Sequence, residues 1–206
     1  QQVEKVCRIV AADPERRFVV VSAPGKRHSA DIKVTDLLIA CADKALAGKG
    51  GEAEMDEVIE RFACIHRDLA LPAGVMDDIR SDLTGRLQAD RSHILRFMDL
   101  MKAAGEDNSA RLVAAALCKF GIPAEYVNPR DAGMDVTPEY GEARLLTESA
   151  YPKLAKLLER KAVVVFPGFF GYDTEGHVAT FSRGGSDITG SILAAAVKAE
   201  VYENFT

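Results

Sequence analysis

The segment Ser182-Arg183-Gly184-Gly185-Ser186-Asp187-Ile188-Thr189-Gly190 joins a strand-like run to a helix-like run and supplies every part of an anion cradle. Its paired glycines let backbone amides approach a ligand closely. The helix that follows would aim its unpaired N-terminal amides and positive dipole end at that ligand. Arg183 adds a planar fork suited to carboxylate or phosphate. The same residues would also serve as a plain turn in which Ser186 or Asp187 caps the helix, so the surrounding sequence has to decide.

Upstream, residues 162–166 read as a buried strand, followed by the loop Pro167-Gly168-Phe169-Phe170-Gly171, a turn at 172–176 and a second strand at 177–181. Residues 201–206 read as a further strand. In an open α/β sheet, ligands bind beyond the carboxyl ends of strands, and both glycine loops fall at such ends. Toward the front, 1–10 has helical periodicity, 18–24 reads as a strand and its loop, and 32–47, 54–70, 75–88 and 91–104 repeat apolar residues at helical spacing. A helix at 109–120, a short strand at 124–127 and a helix at 149–161 complete the pattern. It predicts a three-layer α/β/α sandwich with a mainly parallel sheet, plus a helical layer or lid-like insertion at about 32–104.

The run from Val163 to Thr206 closely resembles the aspartokinase branch of the amino acid kinase family, whose pattern is an apolar strand, a GFIG-like loop, a short hairpin, GRGGSD and an Ala-rich helix. Here it stands as Gly168-Phe169-Phe170-Gly171, then Thr180-Phe181-Ser182-Arg183-Gly184-Gly185-Ser186-Asp187, then Thr206, with Ser182 where glycine is usual. Residues 18–24, FVVVSAP, resemble the family's first strand and loop, and Lys33-Val34-Thr35-Asp36-Leu37-Leu38 its next helix start. Gly105-Glu106-Asp107-Asn108-Ser109-Ala110 resembles a later helix start, and Val136 to Gly141 is a looser match. The Arg-Gly-Gly-Ser-Asp block is the specific one.

The resemblance implies an ATP-dependent, Mg2+-assisted kinase acting on the side-chain carboxylate of L-aspartate, at the entry to lysine, threonine and methionine synthesis. It assigns Arg183 to a substrate carboxylate, helped by Gly184, Gly185 and Ser186, and Glu106 to the α-ammonium. Thr35 would contact the substrate from the opposite loop, and Phe169 and Thr180 would line the pocket. Asp187 would orient a catalytic lysine or a magnesium-bound phosphate, and Ser22 and Thr206 would approach the nucleotide. Read without the family, Glu106 could merely complement a helix N-terminus, Thr35 and Asp187 could be caps, and Phe169 could be core. Other members of the family, acting on glutamate, acetylglutamate, carbamate or UMP, form an alternative. So does a module that binds substrate or dimerises without catalysis.

The chain opens in mid-helix without a preceding strand and stops at the end of the strand read at 201–206. This predicts a fragment; the resemblance implies that it comes from a catalytic domain, is inactive alone, and lacks an upstream lysine-bearing KFGG loop and downstream nucleotide and regulatory regions. The resemblance implies a homodimer or larger assembly for the full-length parent. With 31 acidic against 26 basic side chains and a net charge of -5, nothing draws nucleic acid or an anionic membrane to the surface. No stretch matches a membrane span or signal peptide. Cys7, Cys41, Cys64 and Cys118 are widely and unequally spaced, as free thiols of a reducing cytoplasm are. The four histidines lack metal-ligand spacing, so no metal site is expected within the chain. His66-Arg67-Asp68-Leu69 imitates a protein-kinase catalytic loop, but Ala73 stands where that loop needs asparagine.

Overall fold

The computed structural model describes residues 2–182 and 184–205. In order, the elements are α1 (Gln2–Ala11), β1 (Phe18–Val21), α2 (Val34–Leu46), α3 (Glu52–Asp68), α4 (Ala73–Leu87) and α5 (Ile94–Lys119). Then come β2 (Ala124–Tyr126), α6 (Pro129–Ala132), α7 (Thr147–Leu154), a 3-10 turn (Ala155–Glu159), β3 (Val163–Pro167), β4 (Phe170–Tyr172), β5 (Val178–Thr180) and α8 (Gly185–Ala196).

β3 is the centre of a parallel sheet ordered β1-β3-β2, with Phe18 opposite Val164, Val21 opposite Pro167 and Ala124 opposite Val163. A strand covered on both faces needs apolar residues at consecutive positions, which is why Val-Val-Val-Phe can sit there. Alternation splits the two faces. Val19, Val21, Val163 and Val165 pack into the core shared by α1 to α5. Phe18, Val20, Val164 and Phe166 pack with Ala150 and Leu154 of α7 and with Ile192 and Leu193 of α8. The result is three layers, helix on sheet on helix, as the sequence pattern predicts. Fully buried side chains such as Phe62, Phe97 and Phe166 each contribute about 1.5–3 kcal/mol through desolvation.

The helices within 32–104 do not form a detached lid, because their buried side chains belong to the same core as Val165 of β3. The expected helices at 91–104 and 109–120 are one continuous helix, α5. Gly105-Glu-Asp-Asn-Ser has the composition of a helix start, yet these residues lie in mid-helix, where Asp107 and the Asn108 amide nitrogen are engaged by the tertiary structure. Asp107 accepts hydrogen bonds from Arg86 of α4 and the Tyr126 hydroxyl of β2, and Asn108 donates to Asp82 at 2.7 Å. The cap of α5 is His93, whose Nδ1 accepts the Arg96 amide at 3.2 Å.

The strand expected at 201–206 is also absent from its described part: 201–205 are irregular, and Val201 is 71% exposed. Apolar alternation makes a strand only where a neighbour offers a ladder. Here side chains fasten the segment instead, with Glu203 accepting Arg16 at 2.6 Å and Asn204 donating to Asp187 at 3.0 Å.

β4 and β5 form a two-stranded antiparallel hairpin, Phe170 opposite Thr180. Asp99 of α5, 1% exposed, holds this hairpin to the helix by accepting the Thr180 and Gly141 amides, each at 2.7 Å, and it also pairs with Lys102 at 3.3 Å. Asp99→Ala would strand one buried and one half-buried amide. We expect it to lower the unfolding free energy by about 3–5 kcal/mol in urea titrations; a loss below about 1 kcal/mol would show that the carboxylate is not the anchor.

Candidate active site

Parallel strands deliver their carboxyl ends to one edge of the sheet. At that edge Gly168 donates to the Val21 carbonyl at 2.9 Å, so the loops after β1 and β3 leave side by side. The two glycine-bearing segments then interlock. A Cβ on Gly168 would lie 2.5 Å from the Ser186 hydroxyl, and one on Gly185 would lie 2.5 Å from the Phe169 ring. The Thr189 hydroxyl clasps them together, donating to the Gly185 carbonyl at 2.8 Å and accepting the Phe169 amide at 3.0 Å. Phe169 itself sits at φ 80, a left-handed conformation costly for a bulky residue, with its carbonyl held by the Phe181 amide at 2.8 Å.

α8 starts from Gly184, also left-handed at φ 80, with no side-chain cap. The first turn therefore keeps its amides free of a capping side chain. Ser186 is half-buried and Asp187 exposed, its carboxylate accepting Asn204. Arg183 and Thr206 lie outside the described residues.

On the facing side α5 comes unusually close to the loop after β1. A Cβ on Gly105 would lie 2.8 Å from the Ala23 Cβ and 3.5 Å from Val34 and Leu38 side chains of α2. This close approach shuts Glu106 in at 6% exposure. Its Oε2 has no hydrogen-bond partner. Burial pushes the Glu106 carboxyl up to about 7, opposed by the Ala23 backbone. Thr35 lies in the first turn of α2, half-buried beside Val34, and the cap of that helix is Lys33, so Thr35 is free of the capping role. Ser22 is exposed directly after β1. The loop from 22 to 33 is pinned from below by Arg61 of α3, buried at 4%, which donates to the Gly25 carbonyl at 2.9 Å and to Asp31 at 2.9 Å.

The sheet edge thus gathers Ser22, Phe169, Gly184, Gly185 and Ser186, with Thr35 and Glu106 across from them. Thr180 differs from the rest. It is fully buried at the end of β5, with its Oγ1 unpartnered, and so reaches no open surface. Sequence reading missed Thr189, Asp99 and Ala23. An acidic residue inside the apolar run Phe97-Met98-Asp99-Leu100-Met101 was a usable signal for Asp99, whereas a backbone contact such as that of Ala23 leaves none. Among the described residues, no group of three or more His, Cys, Asp or Glu could hold a metal ion, and no helix is long and apolar enough to cross a membrane.

The model of the amino acid kinase family matches residues 1–206. The chain belongs to the amino acid kinase family. Within that family it is 51% identical over 205 residues to aspartokinase 3 of Bacillus subtilis strain 168, covering all of this chain and 45% of that protein. The aspartate kinase of Clostridium acetobutylicum superposes with a TM-score of 0.81 at 29% identity, covering 100% of this chain and 44% of that one. Escherichia coli aspartokinase III, solved with aspartate and ADP, shares the fold with a TM-score of 0.65 at 23% identity over 96% of this chain and 44% of its own. The amino acid kinase chain described here therefore spans less than half the length of these relatives.

Glu106 makes stability fall with pH in a defined window. Its folded value of about 7 exceeds the ordinary 4.5, so the folded state holds a proton that the unfolded chain releases. Stability is full below about pH 4.5, declines as pH rises through 7, and is level above. Glu106→Gln should remove that decline, gaining on the order of 2–3 kcal/mol at pH 8 and little at pH 4.5. Urea unfolding of both forms at the two pH values checks this, and equal stability at pH 8 would contradict it.

Proposed function

We propose that this chain is part of the catalytic domain of an aspartokinase, which transfers the γ-phosphoryl group of Mg-ATP to the side-chain carboxylate of L-aspartate. The observation that carries the reading is the pairing, across one sheet edge, of an uncapped helix N-terminus with a buried carboxylate that has no cation of its own among the described residues. The first suits a carboxylate, the second an ammonium, and an amino acid with an acidic side chain brings both. The 51% identity to an aspartokinase supports the same conclusion.

In this reading the amides of Gly185 and Ser186, with Arg183, hold a substrate carboxylate, and Glu106 holds the α-ammonium. Thr35 touches the substrate from α2, and Phe169 forms the pocket wall with Thr180 behind it. The side-chain carboxylate oxygen attacks the γ-phosphorus, the bond to the β,γ-bridging oxygen breaks, and ADP leaves with that electron pair. The product is a mixed anhydride, and no proton has to move. Catalysis is thus a matter of holding two anions in line and offsetting their repulsion. Ser22 and Thr206 would lie toward the nucleotide. Asp187, exposed at the start of α8, is the kind of lone carboxylate beside which magnesium is held together with substrate phosphates. When bound, that ion would neutralise charge on the transferred group. The activity belongs to the longer protein, acting in the cytoplasm as a homodimer or larger assembly at the entry to lysine, threonine and methionine synthesis.

Glu106 also weighs against other kinases of the family. Acetylglutamate, carbamate and UMP offer no ammonium, and each would leave the buried carboxylate alone.

Steady-state kinetics of the full-length protein test the assignment. Arg183→Ala and Glu106→Ala should each reduce kcat/KM for aspartate about tenfold to a hundredfold while leaving the ATP KM nearly unchanged. Arg183→Lys should recover only part, since an ammonium lacks the planar fork. Unchanged aspartate kinetics in both alanine variants would refute the reading, and a selective rise in ATP KM would move Arg183 to the nucleotide.

A further inference from the structure

Among the acidic residues of α5, Glu106 alone is both buried and left with an unpartnered oxygen. Asp99 is neutralised by Lys102 and two amides, and Asp107 by Arg86 and Tyr126. Among the described residues, the charged groups on the elements packed around Glu106 are engaged elsewhere or face out. In the loop after β1, Arg27 and Asp31 bond each other and Asp31 bonds Arg61, while Lys26 and His28 are exposed. Lys33 and Asp36 at the start of α2 are exposed. Arg111, a turn along α5, stacks at 4.3 Å on Tyr126, and Asp187 of α8 bonds Asn204. None of these bonds Oε2 of Glu106. An ionised carboxylate buried to this degree with no cation among the described residues is costly, so without the substrate the neutral acid is favoured.

We infer that an amino acid substrate entering this site displaces a proton from Glu106, so that binding is stoichiometrically coupled to proton release. The inference rests on the substrate reading above. The protonated acid and the substrate ammonium become a carboxylate paired with that ammonium, and the proton passes to the buffer. No bond of the substrate is broken. The site thereby avoids holding an unpaired buried charge between turnovers, and it ties affinity to pH. With a free-site value of about 7, aspartate affinity should be about tenfold weaker at pH 6 than at pH 8.

Isothermal titration calorimetry of the full-length protein, pre-saturated with a non-hydrolysable ATP analogue, tests the coupling. L-aspartate is titrated in two buffers of different ionisation enthalpy. The expected result is release of about 0.9 proton at pH 6 and about 0.1 at pH 8. Succinate, which keeps both carboxylates and lacks the ammonium, should bind weakly with no release, and Glu106→Gln should bind aspartate without release. Aspartate binding with identical enthalpies in both buffers at pH 6 would overturn the inference, as would release persisting in Glu106→Gln. Absence of aspartate binding at either pH would instead overturn the substrate reading on which it rests.

Discussion

Helix α5 carries Asp99, Glu106 and Asp107 through the interior, and much of the molecule is arranged around those carboxylates. Desolvating a charge is tolerable only when partners replace the lost water. For Asp107 the partners are a buried arginine from α4 and a tyrosine from β2, so the bond that neutralises it also ties a helix and a strand to α5. For Asp99 they are backbone amides of the hairpin and of the loop at Gly141. Glu106 lies between these anchors with backbone help from Ala23 but, among the described residues, no partner for its Oε2, and a helix fixed on either side cannot rotate to expose it.

How much of this could be read beforehand depended on whether a residue's setting is local. Apolar runs marked β1 and β3, and helical spacing marked α2, α3 and α4, because burial of one face or two leaves a periodic trace. The middle of α5 was misread because glycine and short polar side chains break or cap a helix in isolation, while here Ala23, Arg86 and Asp82 make those same residues fit. The segment 201–205 failed in the opposite sense: its composition suits a strand, but no ladder partner is present among the described residues.

In the candidate site the glycines were legible, and what they accommodate was not. Gly168 and Gly185 stand out in the sequence, yet only the structure reveals that each makes room for a residue of the other's segment, Ser186 and Phe169. Thr189 looks like an ordinary helical threonine until its hydroxyl is seen joining both loops. The burial of Glu106 could not be anticipated either, since it arises from the approach of a helix to a loop some eighty residues earlier. Arg183, the plainest sequence signal of all, lies outside the described residues.

The left-handed backbone of Phe169 has a thermodynamic consequence for anything that binds beside it. Its amide and carbonyl are both hydrogen-bonded, to Thr189 and Phe181, and its ring rests on Gly185, so the unfavourable conformation is locked in when the chain folds. A wall already ordered by the fold itself loses little further conformational entropy when a ligand arrives. Recognition at this edge of the sheet should therefore have the character of a rigid mould. Any adaptation to ligands of different length has to come from the opposite side, where the loop after β1 is fastened mainly through Arg61 and Asp31.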